Sequence, residues 1–386
     1  MTPAIPAGDA RALTRALVQV DSRNPTLAPG APGELACATL LRDVLDAWGF
    51  RTELQDAAPG RPNLVARIGD AAPGGRSLML NGHLDVVGVE GMLHAPFAAE
   101  ERDGRIYGRG SADMKGGVAA MCAAAHRAAG TGLRGEIIIA AVADEEYESL
   151  GTRALLARGI RADACVITEP TRLAIMPAHR GFVWIDVEVL GRAAHGSRWD
   201  IGVDAIRHAG LLLAELDRLD AEVLPGRTHP LLGRGSLHAS LIEGGIGMST
   251  YPDRCVLKLE RRTIPGERAE DALEEVRRAG EAVRARRATF AADVRLLVTQ
   301  GPSDVAVDAP LVRALAEAVD ARGEPTRIEG MSAWTDAALL NDAGIPAVCF
   351  GPGDISLAHA AEEYIPLDEI DRAAAVLTGL ARSWCG

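Results

Sequence analysis

The sequence predicts an α/β domain, with a mostly parallel sheet flanked by helices, interrupted by an inserted ferredoxin-like α+β domain. Three observations predict it. From Arg61 to Thr171, short apolar runs alternate with longer Ala/Leu-rich stretches of helical period, the pattern of a layered sheet. Between His179 and about Thr299 the order becomes strand, helix, two strands, helix, strand, the split β-α-β unit. After Gln300 the first pattern resumes, so the middle segment reads as an insertion. The expected boundaries are 1–178 and 300–386 for the α/β domain and 179–299 for the inserted domain.

Each element has a local reason. Asn63–Ile68, Ser77–Asn81, Glu136–Val142, Ala164–Thr168 and Ala347–Phe350 are short, apolar and bounded by turn residues, as buried strands are. Gly33–Trp48 repeats apolar residues at helical spacing before the Gly49 stop signal, and Gly116–Ala129 is rich in alanine, the best helix former. A last helix is expected near Leu367–Trp384. In the insertion the strands are Phe182–Val189, Ser236–Ile242, Arg254–Arg261 and Ala292–Val298, and the helices Ile201–Leu219 and Ala269–Ala285.

Length and composition set outer limits. A chain of 386 residues with 48% hydrophobic content can bury two cores, and with only 4% aromatic residues it must pack them with aliphatic side chains. A formal charge of -12 opposes attraction to phosphate backbones or anionic membranes, so nucleic acid and membrane surfaces are not expected partners. No basic segment followed by an apolar run opens the chain, and no stretch is long enough to span a bilayer, so the expected compartment is the cytoplasm. Cys37, Cys122, Cys165, Cys255, Cys349 and Cys385 are scattered without a C-x-x-C pair and read as small buried apolar residues.

The informative pattern is where acids and histidines fall. His83 and Asp85 follow one strand, Glu145 and Glu146 another, Glu169 a third, and His359 lies a short loop beyond the strand ending at Phe350. Open α/β sheets bind ligands beyond the carboxyl ends of their strands, so these groups should converge on one rim. Asp113 joins them just before the helix at Gly116. Each has a plain alternative: a His-x-Asp loop, a helix start for the paired glutamates, an N-cap for Asp113, a surface histidine for His359. That all of them occupy matching strand ends for no reason is improbable. Two imidazoles with several carboxylates suit zinc, with cobalt or manganese as substitutes, better than calcium. The glycine-rich Gly108–Gly117 lacks the ending of a phosphate-binding loop and the spacing of a dinucleotide fingerprint.

The segments carrying this chemistry are Asn81-Gly82-His83-Leu84-Asp85-Val86-Val87, Gly108-Arg109-Gly110-Ser111-Ala112-Asp113-Met114-Lys115-Gly116-Gly117, Asp144-Glu145-Glu146, Thr168-Glu169-Pro170, Gly191-Arg192-Ala193-Ala194-His195-Gly196, and Phe350-Gly351-Pro352-Gly353 through His359. In order and spacing the chain resembles the zinc metallopeptidase family of acetylornithine deacetylase, succinyl-diaminopimelate desuccinylase, aminoacylase and glutamate carboxypeptidase. The resemblance implies a hydrolase with two zinc ions per chain that cleaves the amide bond of a small N-acyl amino acid, or of a short peptide in the dipeptidase and carboxypeptidase branches. It implies that Asp113 bridges the ions, with His83 and Glu169 on one and Glu146 and His359 on the other. Glu145 would be the general base, Asp85 the carboxylate orienting His83, and the Asp113-Met114 peptide cis.

Three further residues come from the inserted domain through the same resemblance. His195 matches a histidine that reaches the active site of the partner in a homodimer and stabilises the oxyanion. Arg262 matches an arginine that grips a substrate carboxylate, with Arg261 expected on the opposite strand face as its control. Ser249 stands where many relatives have asparagine, a shorter side chain that cannot donate an amide hydrogen bond at the same reach.

Overall fold

The computed structural model describes residues 5–130 and 132–386 and divides into two compact units. The first comprises Met1–Pro177, Val305–Glu329 and Thr335–Gly386, the second Ala178–Asp304 and Gly330–Trp334. The short return to the second unit has a local cause. The Arg180 N–H donates to the carbonyl of Met331 at 3.2 Å, and the Trp334 indole donates to the carbonyl of Gly301 at 3.0 Å.

In the first unit the central sheet runs, neighbour by neighbour, Arg51–Ala58, Arg61–Gly69, Glu136–Val142, Ser77–His83, Ala164–Ile167, Ala347–Cys349 and the first three residues of Ile175–His179. The four strands from Glu136–Val142 to Ala347–Cys349 are mutually parallel, and antiparallel strands close both sides. The parallel strands are buried almost throughout, which is why Leu78-Met79-Leu80 and Ile137-Ile138-Ile139 read as unbroken apolar runs. Burying one such side chain stabilises by roughly 1.5–3 kcal/mol. Helix Gly116–Ala129 packs on Leu367–Cys385, and its small alanines, fully buried from Ala119 to Ala125, let the two backbones approach.

The strand Ser77–His83 runs two residues past its expected end, so His83 is the last residue of the strand itself. Several elements were not expected, among them the amphipathic helices Ala10–Val18 and Pro310–Asp320.

The second unit has a four-stranded antiparallel sheet in the order Ser236–Gly244, Arg254–Thr263, Gly181–Leu190, Ala291–Gln300. Val183, Ile185, Val187 and Val189 alternate inward and form one core with helices Ala205–Arg218 and Ala269–Arg286. The first helix starts four residues later than expected because the Asp204 carboxylate accepts the Arg207 N–H at 2.9 Å and caps it there. Strand Ser236–Gly244 is an edge, and Leu241 and Ile242 on it are largely exposed. Among the described residues, no helix is long and apolar enough to cross a membrane.

Candidate metal centre

The parallel register brings the polar residues to one rim. His83 pairs with Val142 and Asn81 with Ile167, so Asp144-Glu145-Glu146 and Thr168-Glu169 leave the sheet beside His83. Cys349 pairs with Ile167, which sends the Phe350–His359 segment out from the same end. The Asp113 turn is held there by close approach: a Cβ on Gly117 would lie 2.0 Å from the Thr168 carbonyl oxygen, so only glycine lets the helix begin against that strand end. The Asp113-Met114 peptide is cis.

The structure gathers His83, Asp85, Asp113, Glu145, Glu146, Glu169 and His359. His83 Nε2 lies 3.0 Å from Asp113 Oδ1, 3.9 Å from Glu145 Oε2 and 4.0 Å from Glu169 Oε1. His359 Nε2 lies 2.9 Å from Glu146 Oε2 and 3.6 Å from Asp113 Oδ2. The two oxygens of Asp113 therefore face different histidines. One ligand atom each from His83, Glu145 and Glu169 falls within 4.8 Å of the others, as do those from His83, Asp113 and Glu146. The donor set of imidazoles and carboxylates fits zinc-type ions. His359 adopts a positive φ of 61°, a conformation non-glycine residues seldom take and one that clusters at functional sites.

Burial and mutual charge tune the cluster. Burial, together with the carboxylates of Glu169, Asp336 and Glu146, pushes Glu145 well above the usual carboxylate range. Glu169 rises for the same reasons, with burial first and Asp113 next. Asp113 moves the other way: burial raises it, but the hydrogen bond and charge of His83 and the charge of His359 outweigh that and lower it. His359 is raised to about 9, chiefly by its hydrogen bond to Glu146.

Asp85 reaches its neighbours differently from the simple orienting role. The hydrogen bond from His83 Nδ1 goes to the backbone carbonyl of Asp85 at 2.8 Å, whereas the carboxylate is 3.7 Å away. That carboxylate instead accepts the backbone N–H groups of Glu145 at 3.1 Å and Glu146 at 3.3 Å. It also accepts the Asn24 amide at 2.9 Å. Asn24 bridges on to Asp144 at 3.0 Å, and Asp144 accepts Arg61 at 2.6 Å, which also pairs with Glu34. Asp144, at φ 65°, is thus fastened from several sides in the turn that presents Glu145 and Glu146. Asn24, Arg61, Glu34 and the buried Asp336 went unread in the sequence. The Asn24-Pro25 turn signal was the one local clue.

In the second unit, His195 and Ser249 are neighbours. His195 pairs with Thr250 across a two-stranded ribbon, and the Gly196 N–H donates to the Ser249 carbonyl at 2.7 Å. Both side chains are exposed. His195 Nδ1 lies 2.9 Å from Ser197 Oγ, so Nε2 is the nitrogen available to a ligand. Arg262 lies apart from this ribbon, on the strand Arg254–Thr263, with its Nε on Glu260 at 2.6 Å and its guanidinium 5.5 Å from the Phe182 ring centre. Glu260 is held in turn by the Trp184 indole at 2.8 Å. Arg261 points into the helix-covered face, fully buried against Glu267 at 2.6 Å and Glu275 at 3.1 Å. It is a structural residue, and its loss would disturb the unit's fold.

Residues 79–383 match the profile described as peptidase family M20/M25/M40. The chain is 35% identical over 355 residues to an acetylornithine deacetylase of Myxococcus xanthus, covering 89% of this chain and 90% of that one. It is 28% identical over 391 residues to an N-formyl-4-amino-5-aminomethyl-2-methylpyrimidine deformylase of Bacillus subtilis, covering 93% and 92%. Among solved structures, a tripeptidase from Staphylococcus aureus superposes with a TM-score of 0.81 at 20% identity, covering 99% of both chains. The YXEP protein of Bacillus subtilis, described as a dinuclear metal-binding peptidase, superposes at 0.74 with 17% identity, covering 97% of both. These structural likenesses carry the fold. With the profile spanning most of the chain and a 35% identical relative aligned along nearly all of it, the protein belongs to peptidase family M20/M25/M40, metal-dependent hydrolases of amide or peptide bonds.

Proposed function

We propose that the protein is a two-zinc amidohydrolase that removes the acyl group from a small N-acyl amino acid. The observation that carries this is Asp113, whose two oxygens face His83 and His359 respectively. A carboxylate so placed can be shared by two ions, with His83 and Glu169 completing one site and Glu146 and His359 the other. The deacylase branch is favoured over the dipeptidase and carboxypeptidase branches by the 35% identical relative, named as an acetylornithine deacetylase.

When bound, the ions supply Lewis acidity, which makes water acidic near neutral pH and polarises an amide carbonyl. The chain's own residues do the rest. Glu145, with a carboxyl raised by burial, takes a proton from the attacking water and returns it to the departing amine nitrogen. Asp85 and Asn24 hold the backbone of Glu145 and Glu146 in place. Arg262 binds the substrate carboxylate through its fork. His195 of the partner subunit donates to the oxyanion as it forms. Ser249, beside His195, narrows the choice of acyl group or side chain.

The homodimer this requires is supported by the exposed edge strand and by apolar side chains on the same unit, with Trp199 80% and Ile246 84% exposed. The cysteines of the described residues are all free and buried, which fits a reducing compartment such as the cytoplasm. The test is metal analysis together with turnover on a panel of N-acetyl, N-succinyl and N-formyl amino acids and dipeptides. Two ions per chain and fastest turnover on an N-acyl amino acid are expected. Trace metal after zinc addition would overturn the two-ion site, and preference for dipeptides would move the protein to the peptidase branch.

A further inference from the structure

Glu363 is fully buried, four residues after His359. Its carboxylate divides its work. Oε2 accepts Arg109 Nη1 at 2.7 Å, and Oε1 accepts the backbone N–H groups of Ala112 at 3.1 Å and Asp113 at 3.2 Å. Arg109 is itself only 3% exposed, and its Nε donates to the Gly88 carbonyl at 2.9 Å. The backbone around Glu363 is fixed as well: its carbonyl accepts the Gly108 N–H at 3.2 Å, and Tyr364–Pro366 pairs antiparallel with Arg105–Tyr107. Ile365 fills the space of a missing side chain, since a Cβ on Gly116 would lie 2.2 Å from its Cδ1.

A buried ion pair is poor evidence for stability, because an apolar pair of similar volume serves as well. What an apolar pair cannot do is accept two backbone N–H groups and so fix the direction of the peptide that carries Asp113. We propose that Glu363, with Arg109 as its counter-charge, is a positioning residue. It aims the Asp113 carboxylate at both metal positions and ties the Asp113 turn to the segment that carries His359. The inference rests on the two-ion reading above. Groups that orient ligands in this way are typically worth about 10- to 100-fold in metal affinity or activity.

The experiment compares the parent with Glu363→Gln, which keeps volume but turns a donor toward Arg109, and Glu363→Asp, which keeps charge but draws the oxygen back from the two N–H groups. Affinity for the first and second zinc ions is measured by competition with a chelator. The thermal midpoint of each metal-free variant and the absorption bands of its cobalt form are recorded alongside. The expected result is a metal-free midpoint close to the parent's, at least one ion bound about 10-fold or more weakly, altered cobalt bands, and a loss in kcat greater than any change in KM. Unchanged affinities and cobalt bands in a folded variant would overturn the proposal. So would failure of both variants to fold, which would make the pair a folding element. If the parent itself binds fewer than two ions, the two-ion reading fails instead, and the same titration shows which has failed.

Discussion

The residues assigned to metal and proton chemistry and those assigned to substrate handling sit in surroundings of opposite kind. In the first unit His83, Asp85, Asp113 and Glu169 are buried, and the turns that present them are fastened by Asp85, Asn24, Arg61 and Glu363 through backbone and side-chain hydrogen bonds. In the second unit His195, on a short two-stranded ribbon, and Ser249 beside it are exposed, and Arg262 is held on a sheet face by Glu260. Reaction chemistry needs groups held to a fraction of an ångström before substrate arrives, whereas recognition can tolerate side chains that settle on binding. The first set would therefore be shared among enzymes acting on different amides, and the second would distinguish them.

The largest expected effect falls on the buried side. Glu145→Gln should lower kcat by about 10²- to 10⁴-fold while metal content stays unchanged, because the base is lost and no ligand is. Near-full activity in that variant would remove Glu145 from the role. His195→Ala comes next, with a loss of about 10²- to 10³-fold, the usual scale for one oxyanion donor. Mixing inactive Glu145→Gln chains with inactive His195→Ala chains should restore activity, since a mixed two-fold dimer contains one site with both residues. With subunit exchange verified, an inactive mixture would place His195 within its own chain's chemistry or outside it.

Arg262→Ala should cost about 10- to 100-fold in kcat/KM on a substrate with a free carboxylate and far less on the corresponding amide, from the 1.5–3 kcal/mol of a charged hydrogen bond. Equal losses on both would argue against carboxylate recognition. Arg261→Ala should instead lower stability by about 3 kcal/mol, because it removes a buried charge and leaves Glu267 and Glu275 to the half-exposed Arg227, an effect read by denaturant unfolding.

The smallest effect is a proton count. As a metal ligand His359 would have to be neutral, yet its hydrogen bond to Glu146 raises it to about 9, which favours the protonated ring at pH 7 without metal. Metal uptake must displace that proton, and apparent affinity should rise with pH up to about 9. Calorimetry in buffers of different ionisation heat would show the release, and a heat independent of buffer would contradict it.

How far the sequence could be read follows the same division. His83, Glu145, Glu146 and Glu169 were legible because a strand end fixes where its next residues go, and helix Gly116–Ala129 because its period and composition agree. Arg109 and Glu363, 254 residues apart, and Asn24 and Asp85, 61 apart, were not. Nothing local says which distant charges meet in the interior, since each reads as an ordinary surface residue until its partner is found. Arg261 shows the same limit from the other side. Alternation put it on the opposite face from Arg262, but only the packed helices show that this face is the interior.

The half-exposed position of His359, against 1% exposure for the His83 side chain, would give the two proposed ions unequal lifetimes. An ion on His83 and Glu169 would be enclosed and exchange slowly; one on Glu146 and His359, where only the histidine is open to the medium, would exchange more readily. Preparations would then load in two stages and accept a second kind of ion at the outer position first. An enzyme grown in one metal and assayed in another would carry a hybrid pair, its activity recording both the growth medium and the assay buffer.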